Sequence, residues 1–266
     1  MNPSPNKALG QHWLDDITAL EHICNMAELT TADTVLEIGP GPGALTKQLT
    51  ARAGRVVAVE FDPQLAKQLP QRVKAANLEV VHGDILSYDL SRLPKNYKVV
   101  ANVPYYITSK IVQVLLTATN RPSRIVLLVQ KEVAERLAAA PGDMSILAVS
   151  AQLYAEVSLG AVVPAIAFTP PPKVDSQVVI LQTRSAPLFP HIPDKHFFKV
   201  VKAGFSAKRK KLRSSLSGGL QLPKPTIETL VRAANINPDA RAEALTLDDW
   251  ARLTQEVINL ETINAT

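Results

Sequence analysis

Five short runs of mostly branched aliphatic residues, at 34–38, 55–60, 79–82, 98–101 and 124–129, have the composition of strands buried on both faces. The stretches between them have a different period. Ile17, Leu20, Ile23 and Ala27 recur near three- and four-residue spacing and predict a helix over residues 15–28. Further helices are predicted over 43–51, from Asp62 onward, over 108–118 and over 131–140. Asp62 can cap its helix with Pro63 in the first position. Pro70 then predicts a kink or an early end, because proline lacks the N–H that the ladder needs. Strands alternating with helices define an α/β protein, with a Rossmann-like parallel sheet covered by helices on both faces.

The pattern changes after Leu153. Residues 155–163 and 178–183 predict a closing pair of strands, and between them the prolines of 168–176 hold a loop extended. Pro187, Pro190 and Pro193 mark residues 184–193 as a linker. Beyond it the period is helical: Phe198, Val201 and Phe205 share one face, and Leu212 and Leu216 another. Thr246 and Asp249 form a capping box before a last helix that carries Trp250 and Leu253. The expected organisation is a sheet domain over 1–188 and a small all-helical domain over 189–266.

Composition narrows the class. With 266 residues, 46% of them hydrophobic, the chain can bury a sizeable core, which argues against disorder. The single cysteine, Cys24, excludes an internal disulfide, and five scattered histidines show no metal-ligand spacing. The first residues lack the apolar core of a signal peptide and no apolar run reaches spanning length, so a soluble cytoplasmic protein is expected. The net charge of +5 is unevenly spread: eleven basic residues between Lys173 and Lys224 face only Asp175 and Asp194. Such a segment signals either a polyanionic partner or a solvated helix face.

On a parallel sheet, ligands bind beyond the carboxyl ends of the strands, near the switch point. Suitable groups fall there: Gly39 after the first strand, Glu60 at the end of the second, Asp84 after the third, Asn102 after the fourth. Gly39, Gly41 and Gly43 let backbone approach a ligand, and the next helix offers free N–H groups to a carboxylate or phosphate. Glu60, 21 residues after Gly39, stands where an acid accepts hydrogen bonds from a ribose. Asp84 can accept from an exocyclic amine while Ile85 packs on the ring. Singly these are a turn, a strand end and a cap. In register they point to a nucleotide-like cofactor. Gly-x-Gly-x-Gly spacing tells against a nicotinamide dinucleotide. With Glu37, the stretch resembles the E-x-G-x-G-x-G motif of S-adenosylmethionine-dependent methyltransferases, which implies that cofactor.

Asn102-Val103-Pro104-Tyr105 resembles the (D/N)-x-P-Y motif of methyltransferases acting on exocyclic base amines. An adenine amine is a weak nucleophile, its lone pair delocalised into the ring. The Asn102 side-chain carbonyl and the Val103 main-chain carbonyl can hold its N–H groups and stabilise the positive charge that grows on attack. Pro104 rigidifies the turn and Tyr105 offers the base a flat face. Phe168 is either a second wall for a flipped base or a buried anchor of its loop.

Together with residues 7–14, 168–176, 205–212 and 236–243, these motifs are similar to the KsgA-type small-subunit rRNA adenine dimethyltransferases, over nearly the whole chain. The resemblance implies a class I methyltransferase fold. It further implies dimethylation of two adjacent adenosines in a hairpin near the 3′ end of 16S rRNA during small-subunit biogenesis, by a monomer. It adds His12 and Leu14 to the donor site of Gly39, Glu60, Asp84 and Asn102. His12-Trp13 stands where the family often has Asn-Phe, and Val103 where it often has Leu. Lys208, Arg209, Lys210, Lys211 and Arg213 would grip RNA phosphates, which positions RNA without reading its sequence. An Erm-like large-subunit rRNA methyltransferase and a non-catalytic assembly or transcription factor are the alternatives.

Overall fold

The structure, a computed structural model, describes Pro5, residues 11–207 and residues 209–265; Lys208 and residues 7–10 of the opening motif lie outside them. The chain forms two compact units, one from residues up to Leu137 with Ala155–Arg184, the other from Ala138–Tyr154 with Ser185 onward.

In the first unit, strand β1 (Trp13–Leu14) leads into helix α1 (Ile17–Met26), whose start is fixed by the Asp16 carboxylate accepting the Ala19 N–H at 2.8 Å. Strands β2 (Thr34–Ile38) and β3 (Arg55–Glu60) flank helix α2 (Ala44–Thr50) and match their predicted limits. Helix α3 (Pro63–Val73) is capped by Asp62, which accepts from Gln64 and Leu65 N–H. Pro70 does not end it. That residue lies on the solvent face, its ring displaces nothing in the core, and the helix runs three residues further. Strands β4 (Leu78–His82), β5 (Lys98–Asn102) and β6 (Arg124–Gln130) follow, with helix α4 (Thr108–Thr117) between the last two and α5 (Lys131–Leu137) after β6.

Helix α6 (Ile146–Tyr154) belongs to the second unit, after which β7 (Ala155–Val163), β8 (Phe168–Thr169) and β9 (Ser176–Thr183) return to the first. The sheet order is β4-β3-β2-β5-β6-β9-β7. The first five strands are parallel, whereas β9 runs antiparallel to β6 and β7 to β9, so the sheet is mixed at one edge. Val35, Leu36, Val56, Val57, Val99, Val100 and the five residues 125–129 are all fully buried, as strands covered on both faces require. Chain order reverses between β2 and β5, which places a switch point beside Gly39 and Asn102. A second, two-stranded sheet pairs Trp13 with Thr169 and Leu14 with Phe168.

The second unit holds helices α7 (Asp194–Phe205), α8 (Leu212–Leu220), α9 (Lys224–Ala233) and α10 (Leu247–Ala265) besides α6. The division expected at 188/189 differs from this one because α6 is hydrogen-bonded to distant residues: Leu153 O accepts Leu188 N–H at 2.9 Å, and the Tyr154 hydroxyl bonds the Asp194 carboxylate. Trp250 is fully buried against Phe205, ring centres 5.5 Å apart. Phe197 rather than Phe198 faces the core; Phe198 lies edge-on to it and stacks on Tyr154. The capping box is formed, with Thr246 N–H 2.8 Å from Asp249 Oδ2 and Asp249 N–H 3.0 Å from Thr246 Oγ1. No helix among the described residues is long and apolar enough to cross a membrane.

Adjacent glycines of α8 differ in what a methyl group would meet. At Gly218 there is open space, whereas at Gly219 a Cβ would lie 2.5 Å from the Ala203 Cα of α7. Removing a helical glycine gains about 1 kcal/mol, and overpacking against fixed backbone costs about 1–3 kcal/mol. Gly218→Ala should therefore raise stability and Gly219→Ala lower it, as read by denaturant unfolding of the full chain.

Candidate active site

The carboxyl ends of β2, β3 and β5, the loop after β4 and the segment 11–14 enclose a cavity of about 230 Å³. His12, Leu14, Gly39, Gly41, Glu60, Asp84, Ile85, Asn102, Val103, Pro104 and Tyr105 all line it. Residues more than 90 positions apart thus meet in one place.

The glycine turn is held in a conformation that side chains resist, φ being +64° at Gly39 and +56° at Gly41. A Cβ at Gly41 would also press on the Trp13 indole nitrogen at 3.4 Å. That indole N–H is buried without a hydrogen-bond partner among the described residues. Glu60 spans the turn: its Oε2 accepts Gly41 N–H at 2.9 Å and its Oε1 accepts Asp62 N–H at 2.9 Å. Burial raises the Glu60 carboxyl above its usual range, and these main-chain donors oppose the shift. Glu37 lies deeper, 1% exposed. Burial pushes its carboxyl up to about 8, with the Glu60 charge adding to the shift and the Thr46 hydroxyl opposing it. Asp84 stands exposed at the rim, where it accepts Leu86 N–H at 2.9 Å, while Ile85 is buried beneath.

At the end of β5, the Asn102 Nδ2 donates to the His12 carbonyl at 3.1 Å, which leaves Asn102 Oδ1 as the acceptor of that amide. The His12 ring stacks on Tyr105 with centres 5.8 Å apart, and its Nδ1–H donates to Pro170 O at 2.7 Å. The Tyr105 hydroxyl is 2.7 Å from the Ser176 hydroxyl. Burial raises the Tyr105 phenol, the Ser176 bond opposing, so the ring stays neutral.

Phe168 corrects one expectation. It is 2% exposed, packed in the core with Leu14 and Val163, and does not line the cavity. Pairing of β8 with β1 turns Phe168 inward and leaves Thr169 exposed, so Phe168 anchors its loop. Three aromatic lining residues were not among the expected site residues: Trp13, Phe61 and Tyr106. Each directly follows a residue singled out there, His12, Glu60 or Tyr105, and an aromatic placed there was the signal.

The basic segment is less free than its count suggests. Lys211 Nζ lies 3.0 Å from Asp239, and Arg213 reaches Glu228 at 2.9 Å and Asp239 at 3.2 Å. The Lys211 hydrogen bond and the Arg213 charge hold the Asp239 carboxyl below its usual range. Arg209 and Lys210 are exposed and make no ion pair among the described residues.

The family model described as "Ribosomal RNA adenine dimethylase" matches residues 2–259. The chain is 42% identical over 254 residues to "Ribosomal RNA small subunit methyltransferase A" of Dehalococcoides mccartyi, spanning 94% of this chain and 87% of that one. It is 41% identical over 264 residues to the protein of the same name from Nostoc sp., spanning 94% and 96%. Among solved structures, a dimethyladenosine transferase from Plasmodium falciparum superposes with a TM-score of 0.81 at 27% identity, covering 93% of this chain and 98% of that one. The 23S rRNA methyltransferase ErmE gives 0.74 at 30% identity, covering 92% and 99%.

Glu37 couples its proton to folding. Its carboxyl rises from 4.5 to about 8 on burial, so in that interval the folded state keeps a proton that the unfolded chain has released. The contribution is full below the unfolded value and is lost as pH climbs through the folded one. Wild-type protein should therefore lose stability relative to Glu37→Gln between about pH 5 and 8, as measured by urea unfolding at several pH values.

Proposed function

Since the chain belongs to the ribosomal RNA adenine dimethylase family, we propose that it dimethylates the exocyclic amines of two adjacent adenosines in a hairpin near the 3′ end of 16S rRNA. On this reading it acts as a monomer in the cytoplasm, on the assembling small subunit. S-adenosylmethionine is the methyl donor, and it supplies a sulfonium-bound methyl group open to attack by a weak nucleophile. The names of the relatives near 40% identity support the small subunit over the large one.

The cavity fits that donor. Backbone at Gly39 and Gly41 comes close without a Cβ in the way, and the buried Trp13 N–H is a donor with no acceptor among the described residues. Glu60 would hold the ribose hydroxyls, Asp84 the adenine amine and Ile85 its ring, with His12 and Leu14 closing the near side.

One observation carries the chemistry: the Asn102 amide is oriented. With Nδ2 spent on His12 O, its Oδ1 is left to accept at the end of β5, and the carbonyl of Val103, next in the chain, would be the second acceptor. Together they hold the two N–H groups of the target amine, favour its pyramidal form and stabilise the charge that develops on nitrogen. Because their dipoles are fixed before the substrate arrives, no reorganisation is needed during reaction. His12 covers one face of Tyr105, so the base stacks on the other. The proton leaves after transfer, and alignment of the two bound reactants contributes much of the rate. Arg209 and Lys210, with Lys208, would meet RNA phosphates.

The test is incubation of the protein with labelled donor and unmethylated small or large subunits, followed by mapping of the modified nucleotides. Two dimethylated adenosines in small-subunit rRNA are expected, and wild-type protein inert on small subunits would overturn the reading. Asn102→Ala should reduce methyl transfer by on the order of 10²–10³-fold, with donor affinity reduced much less.

A further inference from the structure

Five aromatic side chains line the cavity among the described residues: His12, Trp13, Phe61, Tyr105 and Tyr106. Three are committed. His12 and Tyr105 stack on each other, and Trp13 is held in β1 with its indole against Gly41. Phe61 and Tyr106 remain, and both are largely exposed, at 57% and 65%. Phe61 follows Glu60 on β3, separated from β5 by β2, and so stands on the donor side. Tyr106 follows the Asn102–Tyr105 corner, in the short turn Tyr105–Ile107 that opens α4.

Consecutive side chains of a tight helical turn diverge by a third of a circle, so Tyr106 cannot share the ring face that Tyr105 turns to the base. Its ring lies at the mouth of the cavity, and no aromatic contact or hydrogen bond is made by it among the described residues. Four residues on, in the first turn of α4, Lys110 is exposed and makes no ion pair among the described residues. A flat ring followed four residues later by an exposed cation suits one nucleotide of a single strand, base on the ring and phosphate at the ammonium.

We infer that Tyr106 is a stacking platform for a nucleobase flanking the target adenine, with Lys110 meeting the adjoining phosphate. This rests on the RNA-adenine reading above and adds to it a determinant outside the amine pocket. An isolated exposed tyrosine is ordinary. Its place on the rim, four residues before a lysine that makes no ion pair among the described residues, is what sets this one apart. Exposed to solvent in the free protein, the ring gains its burial only when RNA arrives, so its effect falls on RNA binding rather than on chemistry.

The test compares wild type, Tyr106→Phe and Tyr106→Leu in steady-state methylation of unmethylated small subunits, with S-adenosylhomocysteine affinity measured by calorimetry. Tyr106→Leu should raise KM for the subunit roughly tenfold, in the range of base–aromatic stacks, with kcat and S-adenosylhomocysteine affinity nearly unchanged. Tyr106→Phe keeps the ring and should match wild type. In Lys110→Gln, the slope of log affinity for RNA against log salt should become shallower by about 0.7, the value for one single-strand phosphate contact. An unchanged KM in Tyr106→Leu, equal damage in Tyr106→Phe, or a matching loss of S-adenosylhomocysteine affinity would overturn the inference. Wild-type protein inert on small subunits would instead overturn the reading beneath it.

Discussion

The hydrogen bond from Asn102 Nδ2 to His12 O is the contact on which the site is built, because it joins the end of β5 to a segment 90 residues earlier. Around it, His12 donates to Pro170 and stacks on Tyr105, Tyr105 bonds Ser176, and β1 pairs with β8. Three chain segments, near 12, 104 and 170, are thereby locked at one point. None is rigid alone. A two-residue strand and a proline loop become precise only because each closes on the others, which is what holding a weak nucleophile in line demands.

Electrostatics in the cavity follow from depth. Of its two buried acids, Glu37 is the deeper and keeps its proton near neutrality, while at Glu60 two main-chain N–H groups oppose the rise that burial imposes. The neutral Glu37 serves the fold beneath the turn, and Glu60 braces the turn through its two main-chain donors.

The strands were legible because a parallel sheet buried on both faces must be written as continuous aliphatic runs, so Thr34–Ile38 and Arg55–Glu60 match to the residue. Their carboxyl ends then located Gly39, Glu60, Asp84 and Asn102 without any knowledge of side-chain geometry. Phe168 was not legible: whether it faces the cavity or the core depends on its pairing with Leu14, which local pattern cannot reveal. Phe197 and Phe198 are adjacent, and a spacing argument through Phe205 picked the partner that lies half-buried. The basic segment looked freer than it is because Glu228 and Asp239, which pair with Arg213 and Lys211, follow it in sequence.

The route of the chain has a consequence of its own. Because residues 138–154 belong with the helical unit and 155–184 return to the sheet, the backbone passes between the units three times. No single cut separates them: a cut at the proline linker would leave α6 on one piece and Asp194, the partner of Tyr154, on the other. During synthesis, the sheet must also wait for β7 and β9 until part of the other unit has already been made. The two halves are therefore interlaced in time as well as in sequence, and neither was assembled as a detachable module.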